Sequence, residues 1–359
     1  MGDSPYSDQP DYAFWRRAIT EIEPGAVDPV ARADFKLAAD CQIVTSGSCF
    51  SQAIGRYIGA AGLNFMNCEP GHKLFPALLS QEHGYGVFST RSGNIYTPRQ
   101  LVQLFDRAYG DFKPTEDVWR SPEGAWIDPF RPQIEPGGFR CERAYWLDRS
   151  EHLAAVRRMF ETLDVFVFTL GLTECWSNRD DGAVYPLCPG VVGGTFHPER
   201  YELLTLGVDE TVADLHAFYD RLARVNPHAR AILTVSPVPM QATALDRHVL
   251  VSNTFSKSVL RVAAGMVCDA RETVSYFPSY EIITGPQARG QYYNDDTRTV
   301  AREGVERVMR VFFRHYFDLI PDFSRAEPTR PAVEAHIAEL DRLADLLCDE
   351  DALDPGATR

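Results

Sequence analysis

Ser48 stands where a hydroxyl could be made reactive. Residues 41–56 read CQIVTSGSCFSQAIGR: an apolar run through Ile43 and Val44, a small turn at Ser46-Gly47-Ser48, then a helical period at once. A strand that ends in a tight turn and opens a helix presents one side chain at the carboxyl edge of a sheet. Unpaired N–H groups and the positive end of the helix dipole lie beside it. There Ser48 would be a nucleophile with an oxyanion site next to it. The same letters also read as an N-cap, with Ser46 or Ser48 satisfying the helix's first turn. Cys49 adds a thiol at the same helix start, as a second nucleophile or as a small buried side chain.

Gly47-Ser48-Cys49-Phe50 resembles the signature of the GSCFA family, a branch of the SGNH-hydrolase superfamily. The resemblance continues in order through Ser92-Gly93-Asn94-Ile95-Tyr96-Thr97-Pro98, Phe168-Thr169-Leu170-Gly171-Leu172-Thr173, Thr234-Val235-Ser236-Pro237-Val238, Asn253-Thr254-Phe255-Ser256-Lys257 and Tyr276-Phe277-Pro278-Ser279-Tyr280-Glu281. It implies a three-layer α/β/α, flavodoxin-like fold with a mostly parallel sheet. It also implies acyl-ester chemistry through Ser48: an O-acyl esterase or acyltransferase acting on a small metabolite or glycan. No cofactor or metal is expected, and acyl-coenzyme A is a candidate co-substrate.

The resemblance carries further roles. Oxyanion donors would be the backbone of Ser48 and Gly93, with Asn94 beside it. Thr173 stands where the superfamily usually has an asparagine, two residues after Gly171; its hydroxyl still donates one hydrogen bond over a shorter reach. The superfamily's Asp-x-x-His maps onto Asp296 with Thr299, or onto Asp295 with Arg298. A threonine hydroxyl is too weak a base, and guanidinium has no lone pair to accept a proton.

Three readings remain open. His248 could supply the base from outside the motif, ahead of His197 and His72. Asp296 or Asp295 could act directly, or a substrate group could activate Ser48 while Arg298 binds a carboxylate or phosphate through its planar fork. Or the fold could bind a ligand without catalysis. Asn253, Ser256 and Lys257 read as structural, Ser256 as a helix cap and Lys257 paired with a carboxylate, although they could polarise a substrate. Glu174 reads as structural, Trp176 as a wall, and Glu281 as a partner for a base or for Arg298.

Parallel strands must position these residues. Apolar runs predict strands at 43–45, 63–66, 165–170, 231–235 and 274–277. Residues 165–170 are apolar almost throughout, as suits a strand buried on both faces. Helical stripes run through Ile54, Tyr57, Ile58 and Ala61, and more loosely from Val212 to Leu222. Further helices are expected at 98–109, 151–163, 256–267 and 303–317. Segment 111–139, rich in Pro, Gly, Trp and charge, reads as an ordered excursion over the sheet, and 177–201, rich in Pro and Gly, as one wall of the pocket; a solvated loop is the alternative for each. The domain is therefore expected at 36–324, after an N-terminal extension at 1–35. Val333, Ile337, Leu340, Ala344 and Leu347 predict a helix in 325–359, packed on the domain or forming a homodimer seam.

At 359 residues and 45% hydrophobic, the chain can bury a large core. Its net charge of −14 argues against a nonspecific grip on nucleic acid or an anionic membrane. Residues 1–13 lack an apolar signal core, no run of about 18 apolar residues occurs, and the cysteines form no CxxC pair. Those features predict a cytoplasmic protein.

Overall fold

The computed structural model describes residues 4–317 and 348–354. Its central sheet contains β1 (Ile43–Gly47), β4 (Val165–Leu170), β8 (Arg230–Val235) and β9 (Val274–Tyr276). They run parallel in that spatial order. The expected strand at 63–66 is reduced to one parallel bridge, Ile43 to Phe65, on the free side of β1. Counting it, the order is 2-1-3-4-5, the doubly wound arrangement whose direction reverses between β1 and β4. Ligands in such sheets sit beyond the strand ends at that reversal, and Ser48 is the first residue past β1.

Strand alternation divides the core. Val165 and Val167 face one layer, with α1 (Phe50–Ala60), α7 (Ser279–Thr284) and α8 (Arg302–Phe317). Phe166 and Phe168 face the other, with α3 (Pro98–Tyr109), α4 (Glu142–Thr162), α5 (Val208–Val225) and α6 (Val249–Ala270). The short α2 (Ala77–Glu82) lies between α1 and α3. The fold is thus α/β with a parallel sheet between two helical layers, as expected. α3 matches its predicted bounds because both ends are encoded locally: Thr97 and Gln100 form a capping box, Pro98 opens the helix, and Gly110 closes it at φ +82°. α4 and α6 begin earlier than predicted, at Glu142 and Val249. In α4 the added turns carry Tyr145 and Arg149 against the first insertion rather than the sheet.

Both insertions carry regular secondary structure. The first holds the hairpin β2 (Trp119–Arg120) and β3 (Trp126–Ile127); the second builds an antiparallel sheet from β5 (Glu174–Asn178), β6 (Val184–Tyr185) and β7 (Tyr201–Thr205). Trp119, Ile127, Tyr185 and Tyr201 pack into one shared cluster. The N-terminal extension lies along α8, where Arg307 donates to Val27 O and Leu37 N–H to Tyr316 O. The predicted helix through Val333 and Leu347, and the dimer seam assigned to it, lie outside the described residues. Among the described residues no helix is long and apolar enough to cross a membrane.

β1 and β4 approach closely at Gly47. Its φ is +128°, and a Cβ there would lie 2.3 Å from Thr169 O. Gly47→Ala should therefore destabilise the domain by about 3 kcal/mol in urea unfolding, through a clash and a disfavoured φ. An unchanged midpoint would mean that the strands part there without cost.

Candidate active site

Backbone hydrogen bonds draw two loops onto the end of β1. Ser48 N–H donates to Thr169 O at 3.0 Å, Ile95 N–H to Gly47 O at 2.9 Å, and Gly171 N–H to Tyr96 O at 2.9 Å. The Ser92–Thr97 loop and the Gly171 loop are thereby held on either side of Ser48. Gly171 is so close that an added Cβ would lie 3.1 Å from Ser48 Cβ. Ser48 is 2% exposed. Its Oγ is buried and has no hydrogen-bond partner among the described residues. It does not cap α1, whose start carries no side-chain cap bond. A buried hydroxyl without a partner is costly and calls for a reason.

The candidate oxyanion donors differ in how they are engaged. Ser48 N–H continues the β1–β4 ladder to Thr169 O, so it is already engaged. Thr173 fits its expected place. Its N–H is held by Ser256 Oγ at 2.9 Å, which leaves Oγ1 buried and unpartnered. Asn94 is buried, its Oδ1 held by Gln52 of α1 at 3.5 Å and its amide donating to Asp349 Oδ2 at 3.2 Å. Gly93 adopts φ +66°, where a side chain would be strained, and packs on Arg131.

Arg131 belongs to a buried ion network. It binds Asp128 and Asp148 at 2.8 and 2.6 Å and donates to Arg91 O at 3.1 Å. Burial would raise the Asp128 carboxyl, but the guanidiniums of Arg149, Arg131 and Arg107 outweigh it and hold the group well below the usual range. The first insertion thus fastens the Gly93–Asn94 loop through charge.

The expected base and acid are both exposed and engaged in local hydrogen bonds. His248 is exposed and caps α6, its Nδ1 accepting from Leu250 N–H at 3.1 Å. It precedes Ser256 by eight residues, about 12 Å of helix. Asp296 is exposed and closes a turn, accepting from Arg298 N–H, Thr299 N–H and Thr299 Oγ1 at 2.7–2.9 Å. Burial raises its carboxyl slightly, but these bonds and the charge of Arg298 prevail and lower it. A carboxylate engaged in this way is a poor base. Glu281 pairs with Arg261 and Tyr276 rather than Arg298, and Glu174 accepts from Thr243.

What the cleft contains instead is Lys257. It is 1% exposed, and Nζ donates to Gly171 O at 2.8 Å. Gly171 is the residue packed on Ser48 Cβ, so the amine is one peptide away from the serine. Burial pulls the ammonium down to about 8, against the opposing charge of Glu350. The sequence contains its signal in Asn253-Thr254-Phe255-Ser256-Lys257, but not its direction. Ser256 lies two turns inside α6 instead of capping it, because the helix begins at His248. That puts Ser256 and Lys257 under the Thr173 and Gly171 backbone.

Residues 348–354 complete the enclosure. Arg298 reaches Cys348 Sγ at 3.5 Å, Glu350 at 3.4 Å and Asp351 at 3.1 Å. Gln241 N–H donates to Glu350 Oε1 at 3.2 Å. A hydrogen bond with Cys49, then burial, pushes the Cys348 thiol well above its ordinary range, and its Sγ lies 4.0 Å from Tyr96 OH. Among the described residues no group of three or more His, Cys, Asp or Glu is placed to hold a metal ion.

Residues 42–312 match the family model described as the GSCFA family. The chain belongs to the GSCFA family. No curated protein matches it. The GSCFA match contains Ser48, Gly93, Asn94, Thr173, Lys257 and Arg298, and it ends before the segment that fills the cleft.

Burial, reinforced by the charges of Glu350 and Asp351, raises the Asp349 carboxyl from 3.8 to about 7. The folded state therefore binds more protons between roughly pH 4 and pH 7, and stability falls as pH rises through that window. Asp349→Asn removes the buried charge while keeping an acceptor for Asn94. It should raise stability by roughly 1–3 kcal/mol at pH 8, with the gain shrinking towards pH 4. Thermal melts at the two pH values test this; a pH-independent difference would contradict it.

Proposed function

We propose that this GSCFA protein is a serine-dependent O-acyl esterase or acyltransferase of SGNH type, acting on a small metabolite or glycan. The observation that carries the reading is a buried, unpartnered Ser48 Oγ at the sheet's reversal point, one peptide away from a buried lysine. Lys257 in its neutral form is the base. It takes the Ser48 proton as Oγ attacks the ester carbonyl carbon, and it returns that proton to the alkoxide as the ester C–O bond breaks. Water or an acceptor hydroxyl then attacks the acyl-serine by the same route. Asn94, Thr173 Oγ1 and the Gly93 backbone are the candidate donors for the oxyanion. Arg298 anchors an anionic part of the substrate, and acyl-coenzyme A is a candidate donor if the reaction is transfer.

A second reading, ligand binding without catalysis, is favoured by Thr299 standing in the usual histidine position and by the acidic residues filling the cleft. Fluorophosphonate labelling followed by intact mass separates the two. Stoichiometric labelling that is lost in Ser48→Ala supports the enzyme; no labelling of folded protein supports the binder.

The role of Lys257 predicts that the labelling rate rises with pH through about 8, as the amine loses its proton. Lys257→Met should slow labelling by roughly 10²–10⁴-fold with folding retained, and Lys257→Arg should not restore it, since guanidinium stays charged. A rate independent of pH from 6 to 9 would remove Lys257 from the mechanism.

A further inference from the structure

The groups that hold residues 348–351 in the cleft are those a small anionic ligand would use. Arg298 grips Glu350 and Asp351, Gln241 N–H donates to Glu350 Oε1, and the Asn94 amide donates to Asp349 Oδ2. Each of these is a donor to a carboxylate, and Gln133 Nε2 adds one to the backbone carbonyl of Asp349 at 3.5 Å. Asp349 and Glu350 are both buried. Burying carboxylates is costly, and it occurs where cationic or N–H partners already await an anion. Yet Glu350 and Asp351 share the single guanidinium of Arg298, while Asp349 is met by the neutral amide of Asn94, so the acids of the segment are not matched one for one by cations. Such a contact closes the site but yields to a ligand that fits better.

We propose that residues 348–351 are an internal ligand of the Ser48 cleft, standing in for a carboxylate-bearing small molecule. The external carboxylate takes the place of Glu350 on Arg298 and Gln241 N–H. The segment leaves, and the amide of Asn94 passes from Asp349 to the substrate. The proposal rests on the Ser48 cleft being the working site, and it narrows the substrate to acyl esters that carry a carboxylate.

Cys348 reports the docked state directly, because its thiol is buried with the segment. Alkylation of intact protein by iodoacetamide is followed at Cys348 by peptide mass spectrometry, with succinate as the probe and neutral succinamide as control. Succinate should accelerate alkylation saturably, and succinamide should not. Glu350→Gln should accelerate it about tenfold without any probe, through loss of one charge-assisted hydrogen-bonded pair. A Cys348 rate unmoved by saturating succinate, or moved equally by succinamide, overturns the proposal whatever the variant does. Fluorophosphonate labelling of the same samples separates this from the serine reading. A succinate response without Ser48 labelling supports the internal ligand and removes the acyl chemistry; labelling without a succinate response does the reverse.

Discussion

The closeness of β1 and β4 at their carboxyl ends governs the cleft, and it is possible only because residue 47 has no side chain. Gly47 faces Thr169 O at a distance that any Cβ would violate. The ladder therefore continues one residue further, and Ser48 N–H pairs with Thr169 O. That single bond fixes the serine backbone and removes its N–H from the list of oxyanion donors. It also brings Gly171 against the serine, and with Gly171 come the carbonyl that holds Lys257 and the hydroxyl of Thr173.

Electrostatics decides what such a cleft can do. Lys257 is buried with Glu350 nearby, and it donates its hydrogen bond to a neutral carbonyl, Gly171 O. Desolvation then dominates and the neutral amine becomes accessible near physiological pH. Arg298 is the contrasting case. Burial disfavours its charge, but Cys348, Glu350 and Asp351 more than compensate, and its pKa is raised. One cation is poised to lose a proton and its neighbour is committed to an anion. Such a divergence between adjacent groups is the usual mark of a divided chemical role.

The insertions act at a distance from this chemistry. Arg131 and Asp128, from the first, brace the loop carrying Gly93 and Asn94, and the buried aromatic cluster ties that insertion to the sheet of the second. A loop held by ion pairs on one side and by Gly47 O on the other keeps Asn94 in place, with Gln52 setting its amide orientation. Side chains positioned in this way can meet a developing charge without moving far.

From sequence alone, the strands at 43–45, 165–170 and 231–235, the whole of α3, and the placement of Ser48 at a strand–helix turn were readable. Each depends on local information: apolar runs, a capping box, a glycine-containing turn. The sequence also contained Thr173 and Arg298 as polar residues in recognisable blocks. It could not rank the candidate bases, because a lysine and a histidine in neighbouring blocks differ only in where a helix begins. α6 starting at His248 makes that residue a cap and turns Lys257 inward. Nor could it foresee that Asp349 and Glu350 would occupy the cleft, since contacts between residues 94 and 349 are set by packing across the fold. Local pattern determined which elements form; burial and the close approach of distant loops decided which side chains share the site.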